Sequence, residues 1–117
     1  MSHVCIYHNP RCSKSRQALS LLEQQGDEIE VIHYLETPPD NASLSALLKL
    51  LGLSARDLIR KGEDAYKELK LDNPNLSEAE LVQAMVDYPR LIERPIVVRE
   101  GKAIVARPPE KISELYS

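Results

Sequence analysis

The chain has 117 residues, 43% of them apolar and 28% charged, which is the size of one domain and the composition of an ordinary globular protein rather than a disordered or fibrous one. Its formal net charge is −3, from 15 basic and 18 acidic residues spread along the chain. No global field therefore draws in nucleic acid or an anionic membrane, and any cationic site has to be built locally. The start MSHVCIYHNP lacks a basic segment followed by a long apolar run, and the most apolar later stretch, Leu44 to Leu53, is broken by Lys49. The expectation is a cytoplasmic protein with no membrane span, whose two cysteines, Cys5 and Cys12, stay free because structural disulfides are rare in reducing compartments.

In chain order, Val4 to His8 is a short β-favouring run closed by Asn9-Pro10. Ser13 to Gln25 carries Ala18, Leu21 and Leu22 at helical spacing before Gly26 stops it. Glu30 to Tyr34 reads as a second strand, ended by Pro38-Pro39. These make a βαβ unit with a right-handed crossover and parallel strands. From about 43 to 88 the pattern turns helical. Leu44, Leu47, Leu48 and Leu51 mark one face up to Gly52, short helices follow Ser54 and surround Tyr66 and Leu69, and Ser77 with Glu80 is a capping box that opens a helix ending at Tyr88-Pro89. Pro95 to Val98, the turn Arg99-Glu100-Gly101-Lys102, and Ala103 to Val105 read as an antiparallel hairpin, and Pro108-Pro109 starts a terminal helix through Leu115. The order predicts an α/β thioredoxin-like fold: one domain over residues 1–117, a mixed sheet with an inserted helical subdomain at about 43–88.

Cys12 falls in the loop leaving the first strand, where the free N–H groups of the next helix converge and the helix dipole favours an anion. Such placement lowers a thiol pKa from about 8.5 into roughly 3.5 to 7.5, and the thiolate is the attacking species. The plain alternative is a small buried hydrophobe, but Arg11, Lys14, Arg16 and His8 are unusual company for one. Cys12-Ser13-Lys14-Ser15 has serine where a Cys-x-x-Cys enzyme has its resolving thiol, so an intermediate on Cys12 needs an outside thiol. Ser15 either donates to the thiolate or caps the helix. His8 either helps, as a cation, to depress the Cys12 pKa or makes a strand-end turn hydrogen bond. Cys5, mid-strand, is expected in the core and out of disulfide reach of Cys12.

Arg94 and Arg107 fall at the ends of the hairpin, where the chain can return to the first loop, and Arg60 lies in the helical segment. Guanidinium groups match oxyanions bidentately and stay charged, although each arginine taken singly reads as a solvated charge. Arg94-Pro95 stands where a thioredoxin-like fold sets a cis proline beside the active thiol, with an ordinary trans proline as the alternative. No metal-ligand spacing or phosphate-binding glycine loop is present, with 4 glycines and 4% aromatics.

His8-Asn9-Pro10-Arg11-Cys12, Tyr34-Leu35-Glu36-Thr37-Pro38-Pro39, Leu58-Ile59-Arg60-Lys61, Arg94-Pro95-Ile96-Val97-Val98 and Arg107-Pro108 together resemble the glutaredoxin-dependent, ArsC-type arsenate reductase family over nearly the whole chain. The resemblance implies a nucleophilic Cys12, oxyanion-binding Arg60, Arg94 and Arg107, and an assisting His8. It implies arsenate as substrate, no bound cofactor or metal, glutathione as co-substrate and glutaredoxin as partner. Ser13-Lys14 stands where the resistance-operon enzymes of the family carry Gly-Thr, and those enzymes extend further at the C-terminus, so the chain is similar to the short branch of the family. Two other readings of the same residues are a glutaredoxin-like reductase of mixed disulfides and an Spx-like regulator binding RNA polymerase, against which Ser15 argues because such regulators present Cys-x-x-Cys.

Overall fold

A computed structural model describes residues 3–116. It divides into two compact units, one made of the chain up to Thr37 together with the chain from Arg94 onward, the other of Pro38–Glu93.

The first unit is built on a four-stranded mixed sheet. Strand β1 (His3–Tyr7) lies in its interior, parallel to β2 (Glu28–Ile32) on one side and antiparallel to β3 (Ile96–Arg99) on the other, and β4 (Lys102–Val105) closes that side. Helix α1 (Ser13–Gln25) makes the crossover from β1 to β2 and ends on Gly26 in the left-handed conformation, φ 84°, where a residue without Cβ is favoured. One sheet face carries Val4, Ile6 and Val97, which pack with Ala18 and Leu22 of α1 and with Ile112 and Leu115 of a C-terminal helix. That period-2 alternation fixes the register, since a slip of one residue would turn this set away from the core. The hairpin turn places Glu100 and Gly101 at φ 49° and 79°, the pair of positive angles that a two-residue turn matched to strand twist requires.

Several boundaries differ from the sequence expectation. The second strand is shifted to Glu28–Ile32 because β1 ends at Tyr7, which pairs with Ile32, and His8 N–H takes the last ladder position on the Ile32 carbonyl at 2.8 Å. The chain then turns, with Glu36 and Thr37 N–H both donating to the His33 carbonyl, and Tyr34 is fully buried in that turn rather than in a strand. The terminal helix, Pro109–Leu115, is 3-10 throughout. Cys5 alternates onto the sheet face opposite α1 and is half-buried, not part of the core. Arg94-Pro95 is a cis peptide, and so is Arg107-Pro108.

The second unit is helical: α2 (Asn41–Leu51), α3 (Ala55–Leu58), α4 (Asp64–Glu68) and α5 (Glu78–Asp87), followed by a 3-10 turn at Pro89–Leu91. Helix α2 begins before Ser43 because Asp40 caps it, its carboxylate accepting from Ser43 N–H at 2.7 Å. Capping boxes at Ser54/Asp57 and Ser77/Glu80 start α3 and α5 and satisfy donors that a helix start otherwise leaves open. Helix α5 packs on α2 and α3, burying Leu44, Leu47, Leu48, Leu58, Leu81 and Met85 at roughly 1.5 to 3 kcal/mol for each large side chain. Helix α4 closes as α2 does, but without a glycine. Lys70 takes the left-handed position, φ 54°, and Leu71 N–H reaches back to the Tyr66 carbonyl at 3.0 Å, a Schellman closure in which Gly is the usual residue.

Candidate active site

The register of β1 between its neighbours decides which residues meet. Tyr7, the last residue of β1, pairs with Ile96, the first of β3, and Ile96 pairs with Val105 at the end of β4. One end of the sheet therefore carries the chain leaving β1 toward Cys12, the Arg94-Pro95 peptide leading into β3, and the Arg107 segment leaving β4. The last two are tied together, Ala106 N–H donating to the Pro95 carbonyl at 2.9 Å and Arg107 Nη1 to the Arg94 carbonyl at 3.1 Å.

The loop from β1 to α1 is held by its own polar groups. Arg11 N–H donates to Asn9 Oδ1 at 3.0 Å, Cys12 N–H to the Asn9 carbonyl at 3.0 Å, and Arg16 Nη1 to the Pro10 carbonyl at 2.8 Å. Cys12 is thereby fixed at the N-cap of α1 in extended conformation, φ −94° and ψ 121°, with Arg16 N–H donating to its carbonyl. Its side chain forms no cap of the serine or aspartate kind. Partial burial works against ionisation of the thiol, but the Ser15 N–H, the Arg94 guanidinium bonded to the sulfur and the Lys14 N–H outweigh it, and the Cys12 pKa is lowered. Lys14 and Ser15 contribute through backbone amides at the helix start, where the dipole also favours an anion. Cys5 is the internal contrast, its thiol pushed up to about 11 by burial and by Glu30.

Ser15 is fully buried, and its Oγ accepts from Asn9 N–H at 3.1 Å while lying 2.6 Å from His8 Nδ1. His8 is also buried, and its pKa is lowered by that burial and by His33 and Arg16. A neutral imidazole accepting the Ser15 hydroxyl proton at Nδ1 satisfies all three groups. The His8–Ser15 contact is a hydrogen bond of a buried ring, and burial works against the charged form that a thiol-activating cation needs. The Ser15 side chain likewise serves the loop rather than the sulfur.

Arg60 lies in the helical unit. A short antiparallel bridge of Ile59 with Ile92 holds its backbone, and its guanidinium pairs with Glu93 at 2.9 Å and Glu63 at 3.6 Å. Sequence reasoning identified neither carboxylate, since nothing in the pattern links Arg60 to a residue 33 positions on. It also missed His33, whose ring lies edge-on to His8 at 6.1 Å, and the Asp27 carboxylate that takes both Arg99 Nε and the Tyr116 hydroxyl at 2.7 Å, tying the C-terminal segment to the sheet unit. Among the described residues no cluster of three or more metal-ligating side chains occurs, and no helix is long and apolar enough to cross a membrane.

The chain and its thioredoxin-like fold are similar to known proteins. A protein of Neisseria meningitidis named arsenate reductase is 56% identical over 96% of this chain and 97% of its own. The Escherichia coli protein YfgD is 61% identical over 96% of this chain and 95% of its own. The solved structure of an arsenate reductase from Vibrio cholerae superposes with a TM-score of 0.94 at 51% identity, covering 97% of each chain. The ArsC family pattern itself matches residues 7–115, from the last residue of β1 to the end of the C-terminal helix, and on that extent the chain belongs to the ArsC family.

Proposed function

We propose that this protein is an arsenate reductase that works through a covalent Cys12 intermediate resolved by glutathione and glutaredoxin. The observation that carries this reading is Cys12 at the N-terminus of α1, at the sheet end that the Arg94 and Arg107 segments share, with its pKa lowered by helix-start amides and by the Arg94 guanidinium. A thiolate and a fixed cation together suit attack on a tetrahedral oxyanion: the cation offsets the repulsion between two anions and stabilises charge as sulfur approaches. The names of the relatives support arsenate as that oxyanion.

In the proposed reaction the Cys12 thiolate forms an S–As bond and an arsenate oxygen leaves as water. Glutathione thiolate then attacks the Cys12 sulfur. The S–As electron pair goes to arsenic, As(V) becomes As(III), and arsenite departs as a Cys12–glutathione disulfide forms. Glutaredoxin supplies the thiols that reduce this disulfide and restore Cys12. Serine at position 15 in place of a second cysteine fits resolution by an external thiol. Arg94 and Arg107 are assigned to the oxyanion, with Arg60 as a further contact. His8 and Ser15 are assigned to holding the loop that presents Cys12. The test is arsenite production by the purified protein with arsenate, glutathione and glutaredoxin. Turnover that disappears in Cys12→Ser is expected, and wild-type protein that produces no arsenite while reducing a glutathione mixed disulfide would replace the assignment with disulfide reduction.

A further inference from the structure

The helical unit contains a cleft lined mainly by basic and polar residues of one stretch of chain. A cleft of about 630 Å³ is lined by Lys61, Tyr66, Lys67, Lys70, Asp72 and Asn73, a volume in the range of small-molecule sites. Three lysines and one aspartate are its charged lining residues, in a chain whose net charge is −3. The acidic residues interleaved in the same stretch, Glu63, Asp64 and Glu68, do not line the cleft, and Glu63 pairs with Arg60. The residues that line the cleft are thus more basic than the stretch of chain they come from.

The backbone beneath it is braced. Arg56 donates through Nη1 to the Leu71 carbonyl and through Nη2 to the Asn73 carbonyl at 3.0 Å. Asn73 Oδ1 is occupied by Asn75 N–H at 2.9 Å, which leaves the amide NH2 of Asn73 as the group available for donation. Tyr66, also in the lining, is buried. The third lysine sits where a lysine is conformationally unfavourable. Helices α1 and α2 end on glycine in the left-handed region, Gly26 and Gly52 at φ 84° and 70°, and α4 puts Lys70 in the equivalent position at φ 54°. A side chain retained against backbone preference is a reason to look for what it does, and Lys70 supplies one of the three charges of the cleft.

We propose that this cleft binds a small multivalent anion carrying two or more carboxylate or phosphate groups. Ammonium groups act as point charges without the fork geometry of arginine, so the site selects for charge number before it selects between carboxylate and phosphate. A monovalent anion meets one lysine at a time and gains little. The site is independent of the Cys12 chemistry.

The test is an NMR titration of the full chain with citrate, pyrophosphate and acetate at constant ionic strength. Saturable shifts confined to residues 61–73 are expected for citrate, pyrophosphate or both, and the responder identifies the anion chemistry, while acetate does not saturate. Lys70→Gly is the decisive variant. It should raise the melting temperature, since glycine suits the left-handed position, and weaken binding by about threefold, the effect of removing one exposed charge. Adding Lys67→Glu should abolish saturation. Shifts that rise linearly and spread over the whole surface, saturation by acetate as strong as by the multivalent ions, or affinity unchanged in both variants would each overturn the proposal.

Discussion

In the sheet unit, the loop that carries His8, Cys12 and Ser15 leaves the same sheet end as the Arg94 and Arg107 segments, which come much later in the sequence, because β1 pairs with β3 and β3 with β4 in one register. In the helical unit the polar groups are local: each capping box spans four consecutive positions, and the cationic cleft is drawn from residues 61–73. The first arrangement depends on long-range strand pairing, so a small error in register removes the site altogether. The second depends on helix ends, each of which can fail alone at the cost of one cap. Substitutions in the sheet unit should therefore act on chemistry, and those at the helix ends mainly on stability.

The largest expected effect separates the two cysteines of the sheet unit. Cys12→Ser removes the proposed nucleophile and should drop arsenate turnover to background, a loss of about a thousandfold or more. Cys5→Ser, on the opposite sheet face, should keep it. Steady-state rates of the two folded variants decide this, and retained turnover in Cys12→Ser would move the nucleophile elsewhere.

Next come the arginines. Lysine keeps the charge and loses the fork, so Arg94→Lys and Arg107→Lys should each lower kcat/KM for arsenate by about tenfold or more, the equivalent of one charge-assisted hydrogen bond worth roughly 1.5 to 3 kcal/mol. Arg60→Lys should do less, because the guanidinium is already engaged by Glu93 and Glu63. The exposed Arg90 is the control and should change little when made lysine. Arg56, whose guanidinium braces the chain at Leu71 and Asn73, is unsuitable for that purpose, which its place in the sequence did not reveal. Equal small effects at Arg94, Arg107 and Arg90 would reduce the site to surface charge.

The two thiols should also titrate apart. With the Cys12 pKa lowered and that of Cys5 raised to about 11, alkylation near neutral pH should label Cys12 first and Cys5 only in strongly alkaline solution. Stability follows with opposite signs. Cys12 stabilises the folded state fully above its unfolded value of about 9.0 and loses that contribution as pH falls through its folded pKa. Between about 9.0 and 11 the unfolded Cys5 ionises while the folded thiol keeps its proton, so stability falls as pH rises through that window. Peptide mapping after pulse alkylation reads the first effect. Urea midpoints of Cys5→Ser against wild type across pH 9 to 11 read the second, the variant being the flatter of the two.

These outcomes bear on how much a sequence of this kind reveals. Hydrophobic spacing and punctuation placed α1, α5 and the hairpin, because Gly26, the Ser77/Glu80 box and Glu100-Gly101 are local signals that tertiary contacts did not override. The second strand escaped, since its limits are set by the partner strand: β2 stops where Tyr7 ends β1, and the β-favouring Tyr34 is taken into a buried turn. Cys12 was legible from its place before a helix, but the cause of its low pKa was only half legible. The amides of Ser15 and Lys14 follow from local sequence, whereas the Arg94 bond depends on a pairing more than eighty residues away. His8 could not be resolved from sequence because its protonation depends on burial, and burial favours the neutral ring.

The smallest expected effects compare two serines near helix starts, one in each unit. Ser77 is an exposed N-cap whose Oγ accepts from Glu80 N–H at 3.2 Å, and water can replace that bond. Ser77→Ala should therefore cost about 1 kcal/mol, the usual value for a lost cap. Ser15 is fully buried, and removing its hydroxyl leaves Asn9 N–H and His8 Nδ1 without their partner where water is excluded. Ser15→Ala should cost more, about 1 to 3 kcal/mol, because the desolvation of the orphaned groups is no longer offset. The two variants should also differ in a readout that stability alone does not move. Loosening Asn9 frees the loop that fixes Cys12, so Ser15→Ala should shift the Cys12 alkylation inflection upward and slow the reaction near neutral pH, whereas Ser77→Ala should leave both unchanged. Thermal melts and pH-dependent alkylation of the two variants measure this together. Equal melting temperatures with an unshifted inflection would mean that Ser15 only fills space beneath the loop.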